Sequence, residues 1–333
     1  MKAVQVTAPG AIAIADVPQP ESGRDAVLKV NQVGICGTDT KIHQGKIPVD
    51  YPRVAGHEML GEVVQPAEGF PFAVGDRVFV DPGVSCGWCD LCVAGRTNIC
   101  RNGGLLGREV DGVFTEYIVA PGNRIVPVPD TVSDKAGGLL QVLGTCVHAA
   151  KTVDPFPGRV AAVLGLGVTG QLLSQLLRLQ GYTVVGITRS EWKRELAQTL
   201  GASATAEPTR AAEVVADVTD GLGPDLVVEA VGTEATLGQA IELAGIGGEV
   251  LVFGTITGGG EGLPYYQLYY KELTLHNPRA AVLGDYADGV QLAAEGSIQL
   301  EPLVTHLVDL EEANAAFGLV NDASSLKVLM QVG

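Results

Sequence analysis

Four cysteines in one short stretch of the chain are spaced as ligands for a single metal ion. They are Cys86, Cys89, Cys92 and Cys100. Four thiolates in one tight loop are the donor set of a closed, tetrahedral structural zinc. A cluster of free or redox-active cysteines is the alternative, but the glycine-rich turns between these thiols favour folding around a metal. We predict a zinc ion that adds folding free energy and takes no part in catalysis.

A second set of metal-binding residue types lies upstream of the four cysteines. Cys36, His57 and Glu58 come from two separated segments, and Asp39 lies close to the first of them. A catalytic zinc needs few, mixed ligands and an open position for substrate, and a neighbouring carboxylate fixes the tautomer of a ligating histidine. Considered alone, Cys36 is better explained as a small buried apolar residue, and His57 as a histidine in the core. Taken together, these residues predict a catalytic zinc site.

A glycine-rich run later in the chain has the pattern of a dinucleotide-binding loop. It reads Gly165-Leu166-Gly167-Val168-Thr169-Gly170, follows an apolar stretch and precedes a helical pattern. A lone glycine triplet predicts little, but between a strand and a helix it predicts binding of a dinucleotide. The pyrophosphate would lie at the amino end of the helix.

The residues about twenty positions further on distinguish the two nicotinamide cofactors, because NAD enzymes place Asp or Glu there to bind the ribose hydroxyls. This chain has Thr188-Arg189-Ser190 at that point, followed by Lys193 and Arg194. Arg189 can stack on adenine and pair with a 2′-phosphate. The alternative is an ordinary solvated basic helix start, and nearby Glu191 is unfavourable for a phosphate. We predict NADP(H) as the cofactor.

In this order, the motifs resemble those of the zinc-containing medium-chain alcohol/polyol dehydrogenases, and the resemblance covers essentially the whole chain. It implies that Cys36 and His57 bind the catalytic zinc, with Glu58 as an exchangeable ligand. It further implies that Thr38 passes on the alcohol proton and that Asp39 orients the imidazole. Thr145, shortly before the nucleotide-binding part, is assigned to the cofactor site.

Two positions depart from the family pattern. Gln141 stands where relatives have a Cys or Glu ligand, so either water occupies that ligand position or Gln141 hydrogen-bonds the substrate. Some sugar dehydrogenases of the family, including glucose dehydrogenases, resemble this chain in having Gln here. Lys41 replaces the usual relay histidine, with His43 two residues later. Either side chain completes the proton relay, or the proton leaves through solvent.

The secondary structure expected around these residues predicts two domains with different types of fold. Residues 1–150 show short β-type segments broken by Gly and Pro, typical of a partly barrel-like β domain, which the resemblance identifies as GroES-like. Residues 151–284 alternate strands and helices, typical of a doubly wound parallel-sheet (Rossmann) nucleotide domain in an α/β protein. Residues 285–333 are expected to return to the first domain.

Particular segments follow from the periodicity. Strands are predicted at 26–33, 62–65, 77–81, 159–164, 182–188, 225–230, 249–253, 272–276 and 327–331. Helices are predicted at 171–179, 191–200, where Ser190 would cap, and 286–295. A loop is predicted at 91–98.

Composition excludes several classes of protein. The net charge of −16 argues against binding to nucleic acid or to an anionic membrane surface. The first residues read directly as a strand, and six cysteines without an export signal suit metal ligation better than disulfides. We expect a cytoplasmic homodimer or homotetramer that acts on a small molecule.

The resemblance implies an oxidoreductase that transfers a hydride between an alcohol or polyol and NADP(H). An aldose 1-dehydrogenase is the alternative that Gln141 favours. A zinc-free double-bond reductase would lack both ligand sets, and a non-catalytic nucleotide-binding protein would not need them. Four other residues of reactive types are expected to have structural roles: Cys146, His148, His276 and His306. Arg279, just past the last predicted strand of the sheet, is expected to approach the cleft.

Overall fold

The structure of the protein is a computed structural model that describes residues 1–21, 23–154, 158–257 and 259–333. The strands in these ranges are, in chain order, β1 Lys2–Ala8, β2 Ala11–Asp16, β3 Ala26–Gly34, β4 Arg53–Val54, β5 Glu58–Gln65, β6 Arg77–Val80, β7 Gly83–Val84, β8 Gly104–Leu105, β9 Tyr117–Ala120, β10 Ile125–Pro127, β11 Val160–Leu164, β12 Thr183–Ile187, β13 Ala204–Ala206, β14 Leu226–Glu229, β15 Glu249–Val252, β16 Thr274–His276, β17 Val304–Asp309 and β18 Lys327–Gln331.

The α-helices in the same ranges are α1 Gly37–His43, α2 Asp90–Val93, α3 Leu140–Ala150, α4 Val168–Leu179, α5 Glu191–Thr199, α6 Ala211–Val218, α7 Glu234–Leu243, α8 Tyr265–Tyr270, α9 Leu283–Ala294 and α10 Ala313–Leu319. Short 3-10 helices lie at Thr97–Ile99, Gly122–Arg124, Asp134–Leu139, Pro208–Arg210, Glu301–Leu303 and Leu310–Glu312. None of the helices in the described part of the chain is long and apolar enough to cross a membrane.

The chain divides into two compact units. One contains Met1–Thr145 together with Ala280–Gly333, and the other contains Cys146–Arg279. The boundaries expected at residues 150 and 284 lie slightly later in the chain than these divisions.

The first unit is rich in β structure. Over the described residues, its largest sheet has the strand order β10-β6-β5-β3-β18-β17, with β9 also paired to β3. Strand β3 runs antiparallel to both of its neighbours, β5 and β18. Their apolar side chains enter one buried core with those of α10. This arrangement brings the start of β5 and the start of β18 to either side of the end of β3.

The second unit is the doubly wound nucleotide-binding fold that the alternation of strands and helices predicts. Its sheet, as far as the residues are described, is parallel with the order β13-β12-β11-β14-β15-β16. The central strands are almost continuous runs of buried Val, Ala, Leu and Ile because helices cover such sheets on both faces. The α/β fold class is confirmed.

Several local predictions were wrong. Strand β5 starts at Glu58, four residues before the expected position, and α9 starts at Leu283, three residues before it. Ser190 makes no side-chain capping hydrogen bond to α5. The stretch 91–98 is not a plain loop, because it contains part of α2 and enters the 3-10 helix Thr97–Ile99. The tight spacing of the cysteines causes this, since the Cys89 thiol accepts a hydrogen bond from the Cys92 amide and so caps a helical turn. Helix α4 starts at Val168, inside the glycine run and earlier than the expected Gln171.

Candidate active site and metal centres

The four cysteines come together on the short elements that follow β7. Cys89 and Cys92 lie at the start of α2 and within it, Cys86 precedes them, and Cys100 follows the 3-10 helix Thr97–Ile99. The sulfur of Cys86 lies 3.5 Å from that of Cys100 and 4.0 Å from that of Cys92, and the Cys89 and Cys100 sulfurs are 3.9 Å apart. Four sulfurs about 2.3 Å from a tetrahedral zinc would be separated by roughly 3.8 Å. The cluster therefore fits a zinc ion.

The thiols of this cluster cannot all ionise easily without a cation. Burial raises the pKa of Cys92 to about 12. Burial also opposes ionisation of Cys86, but the amides of Trp88 and Cys89 outweigh it and lower the pKa to about 6. All six cysteines of the chain are free thiols. A metal ion would supply the positive charge that lets the four sulfurs bind as thiolates.

The second cluster is formed by Cys36, His57 and Glu58 in the first unit. Cys36 is the residue before α1, His57 immediately precedes β5, and Glu58 is the first residue of β5. One ligand atom from each lies within 4.8 Å of the others, and the His57 and Glu58 side chains are buried. Among the described residues, His57 Nδ1 and Glu58 Oε1 have no hydrogen-bond partner. Nδ1 lies towards Asp39, so the buried Glu58 oxygen is the atom that fits a site for a metal ion.

Asp39 connects the two segments that carry these ligands. Its Oδ2 accepts a hydrogen bond from the Cys36 amide at 2.8 Å, and its Oδ1 accepts one from the Gly56 amide at 3.2 Å. The same Oδ1 lies 3.6 Å from His57 Nδ1. Burial lowers the pKa of His57, but Asp39 and Cys36 outweigh it and raise the pKa well above its ordinary value. The surroundings of the imidazole thus favour positive charge, as a metal site requires.

The residues considered for a proton relay lie on α1. Thr38 and Lys41 are one turn apart on this helix, and both are partly exposed. The ring of His43 instead packs edge-on against Phe317, with 5.4 Å between the ring centroids. Phe317 belongs to the buried core of the first unit. His43 therefore contacts an apolar residue, although it is partly open to solvent like Thr38 and Lys41.

Gln141 is buried in the first turn of α3. Its Nε2 donates to the hydroxyl of Tyr286 at 3.4 Å. Burial raises the pKa of Tyr286 well above its ordinary value, so the phenol remains neutral. Thr145, also on α3, donates its hydroxyl to the Val142 carbonyl at 2.7 Å. The Tyr286 contact was missed in the sequence because the two partners are far apart along the chain.

The glycine run forms the turn between β11 and α4. Gly165 has a φ of +95°, which favours glycine, and a Cβ at Gly170 would run into the Gly165 carbonyl. A Cβ at Gly167 would meet nothing within 4 Å. Gly167 is also the amino-terminal cap of α4 and makes no side-chain cap bond. Protein packing explains two of the three glycines, and close approach of a ligand to the free amides of α4 would explain the third.

The other residues of the glycine run differ in whether their side chains are accessible to a ligand. Leu166 is fully buried in the second unit, so only its backbone is available to a ligand. Val168 and Thr169 form the first turn of α4 and are partly exposed.

No acidic residue lies directly after β12, where the cofactor ribose is expected. Arg189 is exposed, and Thr188 and Ser190 are half-buried. Ser190 occupies the cap position of α5, but its side chain makes no capping hydrogen bond. Arg194 donates to the carbonyls of Thr188 and Arg189 at 2.8 and 3.0 Å and pairs with Glu207 at 3.3 Å. Arg194 therefore holds the loop, and Arg189 is the arginine that extends from it.

Lys193 is engaged at both its backbone and its side chain. Its carbonyl accepts a hydrogen bond from Gln171 Nε2 at 2.8 Å, which ties α5 to α4. Its ammonium lies 5.1 Å from the centroid of the Trp192 ring, and burial lowers the pKa of the group.

The remaining reactive residue types have local partners. His276 Nε2 lies 2.6 Å from Glu249 Oε2, and His306 Nδ1 lies 3.0 Å from the Thr305 hydroxyl. The Cys146 thiol contacts the Thr169 carbonyl at 3.9 Å. His148 and Arg279 also take part in interactions. Within the described ranges, the four-cysteine cluster and the Cys36–His57–Glu58 cluster are the candidate metal sites.

Both parts of the chain match models of known protein families. Residues 22–130 match the alcohol dehydrogenase GroES-like domain, and residues 168–295 match the zinc-binding dehydrogenase domain. The chain is 29% identical to a sorbitol dehydrogenase of Halalkalibacterium halodurans over 96% of each protein. It is 31% identical to an L-threonine 3-dehydrogenase of Shewanella woodyi, over 95% of this chain and 94% of that protein.

Solved structures show the same fold with nicotinamide cofactors bound. A Sinorhizobium meliloti protein, provisionally described as a zinc-binding dehydrogenase and solved with NADP, has a TM-score of 0.92 and 33% identity, covering 99% of this chain and 98% of its own. An Escherichia coli alcohol dehydrogenase in complex with NADH has a TM-score of 0.92 and 28% identity, covering 99% of both chains.

Proposed function

This chain belongs to the zinc-containing medium-chain alcohol/polyol dehydrogenases, and from that premise we propose that it is an NADP(H)-linked enzyme that oxidises a polyol or a simple alcohol. The observation that carries the proposal is the buried cluster of Cys36, His57 and Glu58, with ligand atoms within 4.8 Å of one another. Its mixed donors suit a zinc ion that keeps a position open for substrate. The four-cysteine cluster offers only thiolates, so it suits a second, structural zinc.

In this proposal Cys36, His57 and Glu58 hold the catalytic zinc. Zinc supplies a Lewis acid that polarises the substrate oxygen. Asp39 keeps the two ligand segments together and turns His57 towards the site through its carboxylate. Thr38 would accept the hydroxyl proton of the substrate at its Oγ1 while releasing its own hydroxyl proton. Lys41, one turn along α1, would take up that released proton after losing one of its own to solvent. His43 is the less suitable relay residue because its ring packs on Phe317.

The cofactor is proposed to lie at the glycine run of the second unit. The open side of Gly167 lets the pyrophosphate approach the amides of Val168 and Thr169 at the start of α4. A nicotinamide supplies the hydride acceptor for alcohol oxidation.

NADP(H) is proposed over NAD(H) because of the residues after β12. Arg189 is exposed, and Thr188 and Ser190 present hydroxyls in place of the carboxylate that would bind a free 2′-hydroxyl. Arg194 stabilises this loop by donating hydrogen bonds to the carbonyls of Thr188 and Arg189. The NADP bound to the Sinorhizobium meliloti relative is consistent with this choice.

A second candidate is an aldose 1-dehydrogenase, and Gln141 is the residue that favours it. A buried neutral amide is a poor zinc ligand, but it can both donate to and accept from a sugar hydroxyl. The Tyr286 hydroxyl accepts a hydrogen bond from the amide nitrogen of Gln141 and so orients the amide. In this reading Gln141 binds a hydroxyl of the sugar.

Initial rates with a panel of simple alcohols, polyols, L-threonine and aldoses, each with NADP⁺ and NAD⁺, test the proposal. We expect reduction of NADP⁺ with a polyol or alcohol. Turnover confined to aldoses would establish the second candidate. A wild-type preference for NAD⁺ would remove the cofactor assignment, and turnover of L-threonine alone would remove the substrate assignment.

We also propose that the chain forms a homodimer or homotetramer. Helix α8 carries four tyrosines that are 60 to 81% exposed, which is unusual for one short helix on a monomer. It directly precedes β16, the last strand in the described parallel sheet. Such an edge strand can pair with the same strand of a second copy across a two-fold axis.

A further inference from the structure

A buried lysine lies beside the proposed catalytic metal ligands. Lys327 is the first residue of β18, and its side chain and that of Glu58 are only 4% and 1% exposed. Its Nζ donates to the Ile35 carbonyl at 3.0 Å and forms an ion pair with Glu58 Oε2. Ile35 directly precedes the ligand Cys36. The ammonium is therefore held against the backbone of one ligand segment and the carboxylate of the other.

The fold leaves space for this contact at Gly34. Strand β3 lies between β5 and β18, and Gly34 pairs with Glu58 on one side and with Leu329 on the other. A Cβ at Gly34 would run into Glu58 Oε2 and would lie 2.8 Å from Lys327 Cε. The Glu58 and Lys327 side chains thus meet over a strand position that only glycine can occupy.

Stability alone gives a weak reason for such a pair. Two charges removed from water lose their hydration, and apolar replacements of a buried ion pair often leave a protein equally or more stable. Glu58 has a second use, because it belongs to the ligand cluster with Cys36 and His57. Lys327 forms an ion pair with its Oε2, whereas Oε1 has neither an ion pair nor a hydrogen-bond partner among the described residues. The carboxylate can therefore be shared between two cations.

Resting on the proposed catalytic zinc, we propose that Lys327 is a positioning residue that competes with the metal for Glu58 and so determines how firmly the zinc is held. With both residues present, the ammonium withdraws part of the carboxylate's charge from the metal. Without Lys327, Glu58 would offer its full negative charge to the zinc and hold it more firmly. Without Glu58, the ammonium remains beside the metal and repels it.

Release of zinc from the holoenzyme to a chromogenic chelator tests this competition without measuring activity. We expect Glu58→Gln to release the catalytic zinc roughly 10- to 100-fold faster than wild type, the usual effect of losing a supporting group at a metal site. Lys327→Met should slow release. The double variant Lys327→Met with Glu58→Gln should release zinc more slowly than Glu58→Gln alone. Lys327→Arg, which keeps the cation, should stay close to wild type.

The four-cysteine zinc is the internal control, because its ligands lie on a separate segment and its release should not change. Lys327→Met leaves Glu58 buried without its counter-ion and can fail to fold. In that case the comparison of Glu58→Gln with the double variant decides, since neither contains an unpaired carboxylate. Equal release from those two variants would overturn the proposal, because the charge of Lys327 would then have no effect on the metal.

The outcomes separate this inference from the proposed function. A wild-type protein that holds zinc only at the four cysteines and oxidises no alcohol would overturn both. An active protein that holds zinc at both sites, but whose release rates ignore Lys327, would overturn the role of Lys327 alone.

Discussion

Asp39 organises the proposed active site through one buried carboxylate. Because it accepts hydrogen bonds from the amides of Cys36 and Gly56, it joins the segments that carry Cys36 and His57 through contacts within the protein. Its charge also favours a cation at the imidazole. The ligands are therefore preorganised, which limits the ordering that metal binding must achieve.

Cofactor choice is predicted to depend on two residues after β12. Replacing Thr188→Asp together with Arg189→Ala removes a partner of the 2′-phosphate and adds an acceptor for a ribose hydroxyl. The ratio of kcat/KM for NADP⁺ to that for NAD⁺ should fall roughly 10- to 100-fold, the worth of one or two charge-assisted hydrogen bonds. Steady-state kinetics with both cofactors measures this ratio.

Arg194→Ala is the matched control for that double change. Its guanidinium is engaged with the Thr188 and Arg189 carbonyls and with Glu207, so its loss should weaken both cofactors alike. A selective loss of NADP⁺ in Arg194→Ala would show that Arg194, and not Arg189, contacts the phosphate.

At the scale of single residues, contacts between residues close in the sequence could be predicted, whereas contacts between residues on different strands could not. The spacing of the cysteines predicts their cluster, because a short loop limits where the four thiols can lie. Lys327 carries no comparable signal, since it reads only as the polar start of the apolar strand β18. Its ion pair with Glu58 depends on the strand order β5-β3-β18, which no local pattern specifies.

At the scale of elements, the turn from β11 into α4 carries the proposed cofactor site. Gly167→Ala places a methyl group where the protein leaves open space, so the fold should tolerate it. The same methyl group would occupy the approach of the pyrophosphate to α4. We expect an unchanged melting temperature and an affinity for NADPH at least ~10-fold weaker, the effect of losing about 1.4 kcal/mol. Titration of NADPH fluorescence measures the affinity.

Gly170→Ala provides the contrast within the same turn. Its Cβ would run into the Gly165 carbonyl, so this variant should have a lower melting temperature even without cofactor. If Gly167→Ala bound NADPH as tightly as wild type, the pyrophosphate would not lie at this turn.

The helices and strands of the second unit follow closely from their periodicity, with errors at their ends. Helix α4 starts earlier than its side-chain pattern indicates because glycines contribute no periodic side chains. The short helix α2 could not be predicted, since the thiols that cap it are also candidate metal ligands.

At the scale of the whole molecule, the chain combines a β-rich unit that carries both proposed zinc sites with a parallel α/β unit that carries the nucleotide loop. The family models match one part of the chain each, at residues 22–130 and 168–295. The strongly negative net charge of the whole chain does not exclude an anionic cofactor, because binding at each proposed site depends on the charges close to that site.

Self-association is predicted to depend on α8. Tyr266 and Tyr269 are 69 and 81% exposed, so changing both to Arg should leave the monomer folded but place repelling charges at a symmetric interface. Light scattering should show a dimer or tetramer for wild type and a smaller species for the variant. Leu222→Arg, at a residue 80% exposed elsewhere in the same unit, should keep the wild-type mass. A monomeric wild type would contradict this prediction.

The most direct test of the central claim is zinc content measured together with turnover in Cys36→Ala and Cys92→Ser. Wild type should contain about two zinc ions per chain, one for each ligand set. Cys36→Ala should lose one zinc and all alcohol-dependent reduction of NADP⁺, yet still bind NADPH. Cys92→Ser should also lose one zinc, but with a lower melting temperature as its main effect. A Cys36→Ala protein that kept both zinc ions and its turnover would contradict a catalytic zinc at Cys36, His57 and Glu58.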